Sequence, residues 1–410
     1  MDPIIREVAD LVVRWIHLIA GIMWIGNSML WNWIDRNLVK PAPEAGKGEP
    51  NDKSFGHIWL LHSGAYYFME KKLLQPSEYA AIPGGPHWFK WQAYTTWLSG
   101  ASLLAIVYYM SGGGAYLVDP NVSKISADAA IDVGIGTVVG GFVVYDLVWR
   151  VLGRRSEKLA TALTLALVAG VVTVLPRVLA GRAAYMHVGA MLGTMMAGNV
   201  FLHIMPSQRA LVRATQEGSS GDATASAHAQ QRSIHNNYLT FPMLFIMLSN
   251  HFPSTYGSKY PSLVLAVLIV TGSTVRHLLN VRFHFKRWLP ALLSVITTAV
   301  VALFVLVGGR EALGRGGPKK PAEKVAFSRV QLVIQDRCVP CHSQKPTDPS
   351  VQMAPGNVMF DTPEQIQTYK DRIKMRAVVA KTMPLANKTN MTEDERDLVG
   401  KWLLSGASIE

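Results

Sequence analysis

The chain has 410 residues, of which 49% are hydrophobic and 17% charged, with a mean hydropathy of +0.18. Its 40 Lys and Arg against 28 Asp and Glu leave a formal net charge of +12. Apolarity gathered in long blocks excludes an ordinary soluble domain. The basic residues collect in loops between the blocks and form no aromatic-basic stripe, so lipid and not nucleic acid is the expected environment.

Blocks near the length of about 20 residues that a helix needs to cross a bilayer are predicted around 8–34, 95–113, 131–152, 159–180, 183–208, 238–252, 262–280 and 288–309. The first, after "MDPIIREVAD", has Asp2, Glu7 and Asp10 against Arg6 and lacks the positive leader of a secretory signal, so it reads as a retained span. The sixth block is short enough to be re-entrant. Loops one, three, five and seven carry seventeen Lys and Arg, and loops two, four and six carry four. The positive-inside rule then puts both termini outside the cytoplasm.

Loop one, 35–94, contains the aromatic runs "FGHIWLLHSGAYYFMEKK" and "HWFKWQAYTTW", which suggest interfacial helices under the bundle. Loop five, "TQEGSSGDATASAHAQQ", is small and polar and reads as flexible. The spans make up a domain over 1–309. The Gly-, Pro- and Lys-rich 310–325 reads as a hinge, followed by a polar domain over 326–410.

That last domain holds "DRCVPCHSQKP". Cys338-x-x-Cys341-His342 is the attachment pattern for one covalent c-type haem: two thiols for the porphyrin vinyl groups, and an imidazole for the iron. Both cysteines of the chain lie in it, so no disulfide framework remains. Haem attachment of this kind takes place on the far side of the bacterial inner membrane, so the domain is expected to be periplasmic, in agreement with the loop charges. Residues 327–337 suit a helix delivering Cys338. A second axial ligand is needed, and Met353, Met359, Met375, Met383 and Met391 are available. Met383, in "KTMPLANKT" ahead of the last helix, is the best placed; core packing is the plainer role of the others. Thr392-x-x-Glu395 is a capping box, and Leu398, Val399, Trp402 and Leu403 form the buried stripe of the helix it starts.

Twelve histidines occur, and ionisable groups inside a bilayer are costly enough to mark function by default. Following the direction of each span puts His17, His187 and His251 towards the periplasm. His203, His235, His277 and His284 fall towards the cytoplasm, with His57, His62 and His87 in loop one. For each, a hydrogen-bonded structural role is the plainer reading. The sharper one is bis-imidazole ligation of one or two b-type haems, with His17 and His251 as candidate ligands. Arg276 would then partner a propionate or another anion, pairing with a loop carboxylate being its duller role. Gly189, Gly193, Ala197 and Gly198 mark close packing of the fifth span.

The stretches "RWIHLIAGIMWIG", "HWFKWQAYTTWLSG", "RAAYMHVGAMLGTMMAGNVF", "HNNYLTFPMLFIMLSNH" and "VRHLLN", followed by "CVPCH" and "MPLANKTNMT", resemble the membrane-bound cytochrome c urate oxidase (urate hydroxylase) family over nearly the whole chain. The resemblance implies an all-α polytopic bundle of about eight spans fused to a class I-like cytochrome c domain. It also implies oxidation of urate, or a related purine, to 5-hydroxyisourate. The electrons would pass through the cytochrome to a cytochrome c oxidase or a soluble carrier. Where the family has a His-Gly-Gly-Gly-Phe-Tyr-like run, this chain has His62-Ser63-Gly64-Ala65-Tyr66-Tyr67, keeping the histidine.

A planar anionic substrate wants imidazole bases and an arginine in a partly dry pocket, which nominates His62, His187 and His277 as catalytic. Substrate entering from the cytoplasm would need a redox relay through the bundle. The alternative in another class is a haem-binding electron-transfer subunit of a respiratory complex without purine chemistry. A redox-regulated transporter would call for paired broken helices in two halves, a pattern the sequence lacks.

Overall fold

The computed structural model describes residues 3–40, 54–110, 115–120, 122–219, 223–308 and 325–409. α1 (Pro3–Asn37) leads to a β-hairpin of β1 (Ser54–His62) and β2 (Ala65–Lys72). A short α2 (Pro76–Ala80) precedes α3 (Trp91–Leu104), which is prolonged by a π-helical turn, Ala105–Tyr109. α4 (Ala127–Ile135) and α5 (Gly141–Val151) form one rod through a second π-turn, Gly136–Gly140, and α6 (Glu157–Val174) returns. α7 (Gly181–Asn199) runs through a third π-turn, Val200–Ile204, into α8 (Met205–Glu217). α9 (Ala223–Ser249), α10 (Pro253–Tyr256), α11 (Pro261–Val281) and α12 (Trp288–Leu306) complete the bundle.

Among the described residues, six rods are long and apolar enough to cross a membrane: α1, α4–α5, α6, α7–α8, α11 and α12. The two other expected blocks are helical as well. However, α3 has only 14 residues before its π-turn, and the first half of α9, "ATASAHAQQRSIHNN", is polar.

The packing order follows the apolar surfaces. α7 buries fourteen of its nineteen residues, on every face, as a helix without a polar side must. α3, α5 and α9 surround it, α11 lies against α9, and α12 lies against α11. Small residues permit the close approaches: at Gly272 a Cβ would lie 2.7 Å from the backbone nitrogen of Pro242 on α9. By contrast only 6% of the apolar stretch of α1, and the same share of α12, is buried in the protein, so these helices turn their sides outward.

Two expectations are corrected here. "FGHIWLLHSGAYYFMEKK" is an antiparallel hairpin and not an interfacial helix, so among the described residues the regular structure is helical apart from this one two-stranded ribbon. Each strand carries a run of four apolar residues, Ile58–Leu61 and Tyr66–Met69, and Ser63 (φ 52°) and Gly64 (φ 76°) between them make the two-residue left-handed turn that matches strand twist. Trp59 stands opposite Phe68 across the ribbon, with ring centroids 4.9 Å apart. Loop five is also largely helical. α8 continues to Glu217 and stops at Gly218 in the left-handed conformation (φ 69°), and α9 begins at Ala223.

The C-terminal region has its own core. α13 (Phe327–Arg337), α14 (Pro363–Thr368), α15 (Lys370–Ile373), a π-turn (Lys374–Val379) and α16 (Glu393–Leu404) enclose Val330, Ile334, Ile366, Val399 and Trp402. The capping box forms as expected: Thr392 Oγ1 accepts from the Glu395 amide at 3.2 Å, and Glu395 Oε2 accepts from the Thr392 amide at 2.7 Å. The hinge expected over 310–325 lies, except for Val325, outside the described residues. The region sits against one end of the bundle. Arg6 of α1 donates to the Ser350 carbonyl at 3.1 Å, and Gly257 leaves no room for a side chain beside the Ala380 carbonyl.

Candidate functional site

A cavity of about 870 Å³ opens where the bundle meets the C-terminal region. From the bundle it is lined by Arg14 of α1, Tyr108 of the first π-turn, Arg182 at the start of α7 and Tyr256 of α10; from the other side by Arg376 and Met383. α7 begins at Gly181, packed on the Tyr256 backbone, and this puts Arg182 at the rim. Its Nε donates to Asn250 Oδ1 at 2.6 Å, and its guanidinium lies 6.0 Å from the Tyr108 ring centroid. Asp10 already pairs with Arg14 at 2.6 Å. Glu7, Asp119 and Glu393 also line the cavity, but among the described residues neither Arg182 nor Arg376 pairs with a carboxylate, so both can still face an anion.

Tyr108 is 5% exposed, and its hydroxyl has no hydrogen-bond partner among the described residues. A buried hydroxyl left unpaired in a cavity wall is costly, and a ligand that accepts or donates there removes the cost. Behind it lies His187, fully buried, with its ring 5.8 Å from that of Tyr108. His187 Nδ1 is 2.8 Å from the Ala183 carbonyl, which can only accept, so Nδ1 carries the proton. Nε2 of the neutral ring is then an acceptor, and the Tyr109 hydroxyl donates to it at 2.8 Å. The ring is wedged against α4: a Cβ on Gly134 would lie 2.7 Å from Nε2.

Across the cavity, Met383 is held by its backbone. Its amide donates to the Arg376 carbonyl at 3.0 Å, and its own carbonyl accepts from Arg396 at 2.7 Å. Cys338 follows α13 directly, and both cysteines are free. Burial pushes the Cys338 thiol up to about 12 and raises that of Cys341. His342 Nδ1 donates to the Val358 carbonyl at 2.9 Å, which fixes the tautomer and leaves Nε2 as a lone-pair donor. Burial lowers the affinity of this imidazole for a proton. Two neutral thiols three residues apart and an imidazole with free Nε2 are the donor set that covalent haem requires, so the residues fit the group. Among the methionines, Met391 is 2% exposed in the core and Met353 is 68% exposed, which leaves Met383 better placed than either.

The other expected site residues are scattered. His62 is exposed at the hairpin tip, with Nδ1 2.8 Å from the Ser63 hydroxyl. His277 is exposed and bonds Tyr238 at 2.8 Å. His17 Nδ1 is satisfied by the Thr96 carbonyl at 2.9 Å, and His251 is exposed beyond α9. Arg276 is buried and donates from Nε to Asn237 at 3.0 Å. Of the three histidines nominated as catalytic, only His187 lies close behind the cavity.

A polar network that sequence reading passed over lies between α5, α9 and the third π-turn. Asp146 Oδ1 accepts from His203 at 2.6 Å and from Arg232 at 3.0 Å, and Oδ2 pairs with Arg150 at 2.6 Å. Beside it the Tyr145 hydroxyl reaches His235 at 2.7 Å and accepts from Asn199 at 2.9 Å. The available signal was an aspartate inside the apolar run "GFVVYDLVW", which a bilayer does not carry unpaired.

Comparison with known proteins adds one finding. Residues 3–307 match the family model described as urate oxidase N-terminal, which spans the whole bundle. No curated protein and no solved structure matches the chain.

Proposed function

Because the chain belongs to the urate oxidase N-terminal family, we propose that it is a membrane-bound oxidoreductase converting urate to 5-hydroxyisourate and passing the electrons to its own C-terminal domain. One observation carries the reading: the cavity at the end of the family domain is shared with the segment that holds Met383. Urate takes up one water and releases two electrons and two protons, so the added oxygen comes from water.

Urate is a planar anion at neutral pH. Arg182 and Arg376 supply the charge and the donors that hold it, and the Tyr108 hydroxyl offers a hydrogen bond to its rim. Tyr109 and His187 lie behind Tyr108, with the single acceptor nitrogen of His187 already engaged. They hold the wall in place, so His187 is a positioning residue here. Haem c, held by Cys338, Cys341, His342 and Met383, would supply a one-electron acceptor. With substrate at this end, no b-type haem on His17 or His251 is required, and this reading assigns no role in the chemistry to His62 or His277. The C-terminal domain would stand in the periplasm of the inner membrane and hand electrons to a terminal oxidase or soluble carrier.

The test is anaerobic mixing of the purified, haem-loaded protein with urate. Growth of the reduced c-type α-band with a urate-dependent rate is expected. A spectrum unmoved by urate, in protein that dithionite reduces, excludes the reading.

A further inference from the structure

A second cavity, of about 330 Å³, lies at the opposite end of the bundle, where the last turns of α1 and α11 meet. Arg276, 5% exposed, lines it. One of its terminal nitrogens is buried without a partner, and the Phe241 ring lies 5.5 Å from the guanidinium. Two more guanidinium groups belong to the same place. Arg282 lines the cavity, and Arg36 donates to the carbonyl of Asn280, another lining residue. Among the described residues none of the three pairs with a carboxylate.

Three cations around one cleft, one of them buried with an idle donor, call for an anion with several acceptor oxygens. The walls restrict what carries it. Met29, Trp33 and Leu279 are apolar, and Leu30 and Phe283 at the mouth are 47% and 40% exposed. A freely hydrated anion gains nothing from such a mouth, whereas a phosphate with acyl chains attached fills it. This end also carries the basic loops of the chain, where anionic lipid concentrates. We propose that the cavity binds the phosphate of an anionic phospholipid, with Arg276 as its central ligand and Arg36 and Arg282 as flanking charges.

Thermal unfolding of delipidated full-length protein, followed by tryptophan fluorescence, tests this. Phosphatidylglycerol is expected to raise the midpoint at concentrations where phosphatidylcholine does not. Arg276→Gln is expected to need about tenfold more lipid or beyond, as for loss of one partner of a buried charge pair. Arg36→Gln, at an exposed position, should weaken the effect too, and it decides the matter if the buried variant fails to fold. The same rise with inorganic phosphate alone, lost in both variants, overturns the lipid assignment in favour of a free anion. A phosphatidylglycerol effect that is absent, or unchanged in both variants, overturns the site. So does protection by urate that both variants lose while lipid has no effect.

Discussion

Tyr109 and His187 form a directed pair: the hydroxyl donates to Nε2 at 2.8 Å because Nδ1 is committed to the Ala183 carbonyl. Each atom of the imidazole that can bond does so, and the pair sits directly behind the Tyr108 wall of the cavity. Removing the donor should therefore be felt twice. Tyr109→Phe is expected to lower stability by about 1–3 kcal/mol, the cost of stranding a buried acceptor, and to slow urate-dependent haem reduction. His187→Gln can still accept from Tyr109 and should recover part of the loss that His187→Ala shows. Equal stopped-flow rates for all three variants and the parent would remove His187 from the account.

The glycine facing that ring makes a separate prediction. Gly134→Ala puts a methyl 2.7 Å from His187 Nε2, closer than a packed core allows, and overpacking of this kind costs about 1–3 kcal/mol. The midpoint of thermal unfolding is the measurement. Gly136→Ala, where a Cβ meets nothing, is the matched control and should be nearly silent.

Substrate charge should be read by Arg182 and Arg376. Hydrogen bonds to a charged group contribute about 1.5–3 kcal/mol, so Arg182→Gln is expected to raise the KM for urate between roughly tenfold and a hundredfold. Arg376→Gln, on a more exposed residue, should do less. Steady-state kinetics with a soluble electron acceptor measures both, and an unchanged KM in the double variant refutes the placement.

On the proposed haem ligation, Met383→Ala should lower the haem potential and remove the sulfur-to-iron charge-transfer band. Met391→Ala removes a residue that is 2% exposed in the C-terminal core. It should cost about 2–5 kcal/mol of stability and leave the band intact. Persistence of the band in Met383→Ala assigns the iron to another ligand.

Acid should loosen the C-terminal domain in a defined window. Burial pushes the Asp348 carboxyl up, but hydrogen bonds from Lys388 and Ser350 outweigh it and hold it at about 2, against an ordinary 3.8. Glu395 is lowered as well, burial being outweighed by its bonds from Arg337 and Thr392. A carboxyl depressed in the fold stabilises above its unfolded value and loses that contribution as pH falls towards the folded one. The loss is thus expected between about pH 4 and about pH 2. Asp348→Asn should flatten this part of the profile of melting temperature against pH for the intact chain.

Much of the fold was legible because the signals were local. The helix before Cys338, the Thr392 capping box and the buried Trp402 stripe depend on neighbours within a turn or two, and all three stand as read. The hairpin was misread because its aromatics suit an amphipathic helix as well as a strand. Its deciding feature, Ser63-Gly64 between two short apolar runs, is only two residues long. The site was less legible. Tyr108, Arg182 and Arg376 lie on three segments far apart in sequence, and nothing local ties them together. His62 and His277 look functional by residue type, yet the fold leaves both on the surface.

α1 touches both cavities, through Arg14 at one end and Trp33 at the other, nearly thirty ångströms away by helical rise. Between these ends it is seated on little besides α3. A strut fixed at its tips and bare along its flanks takes its tilt from its surroundings. In a bilayer, a change of hydrocarbon thickness would act on this helix, and on the equally bare α12, before the others. The spacing between the two pockets is thereby exposed to the mechanics of the lipid.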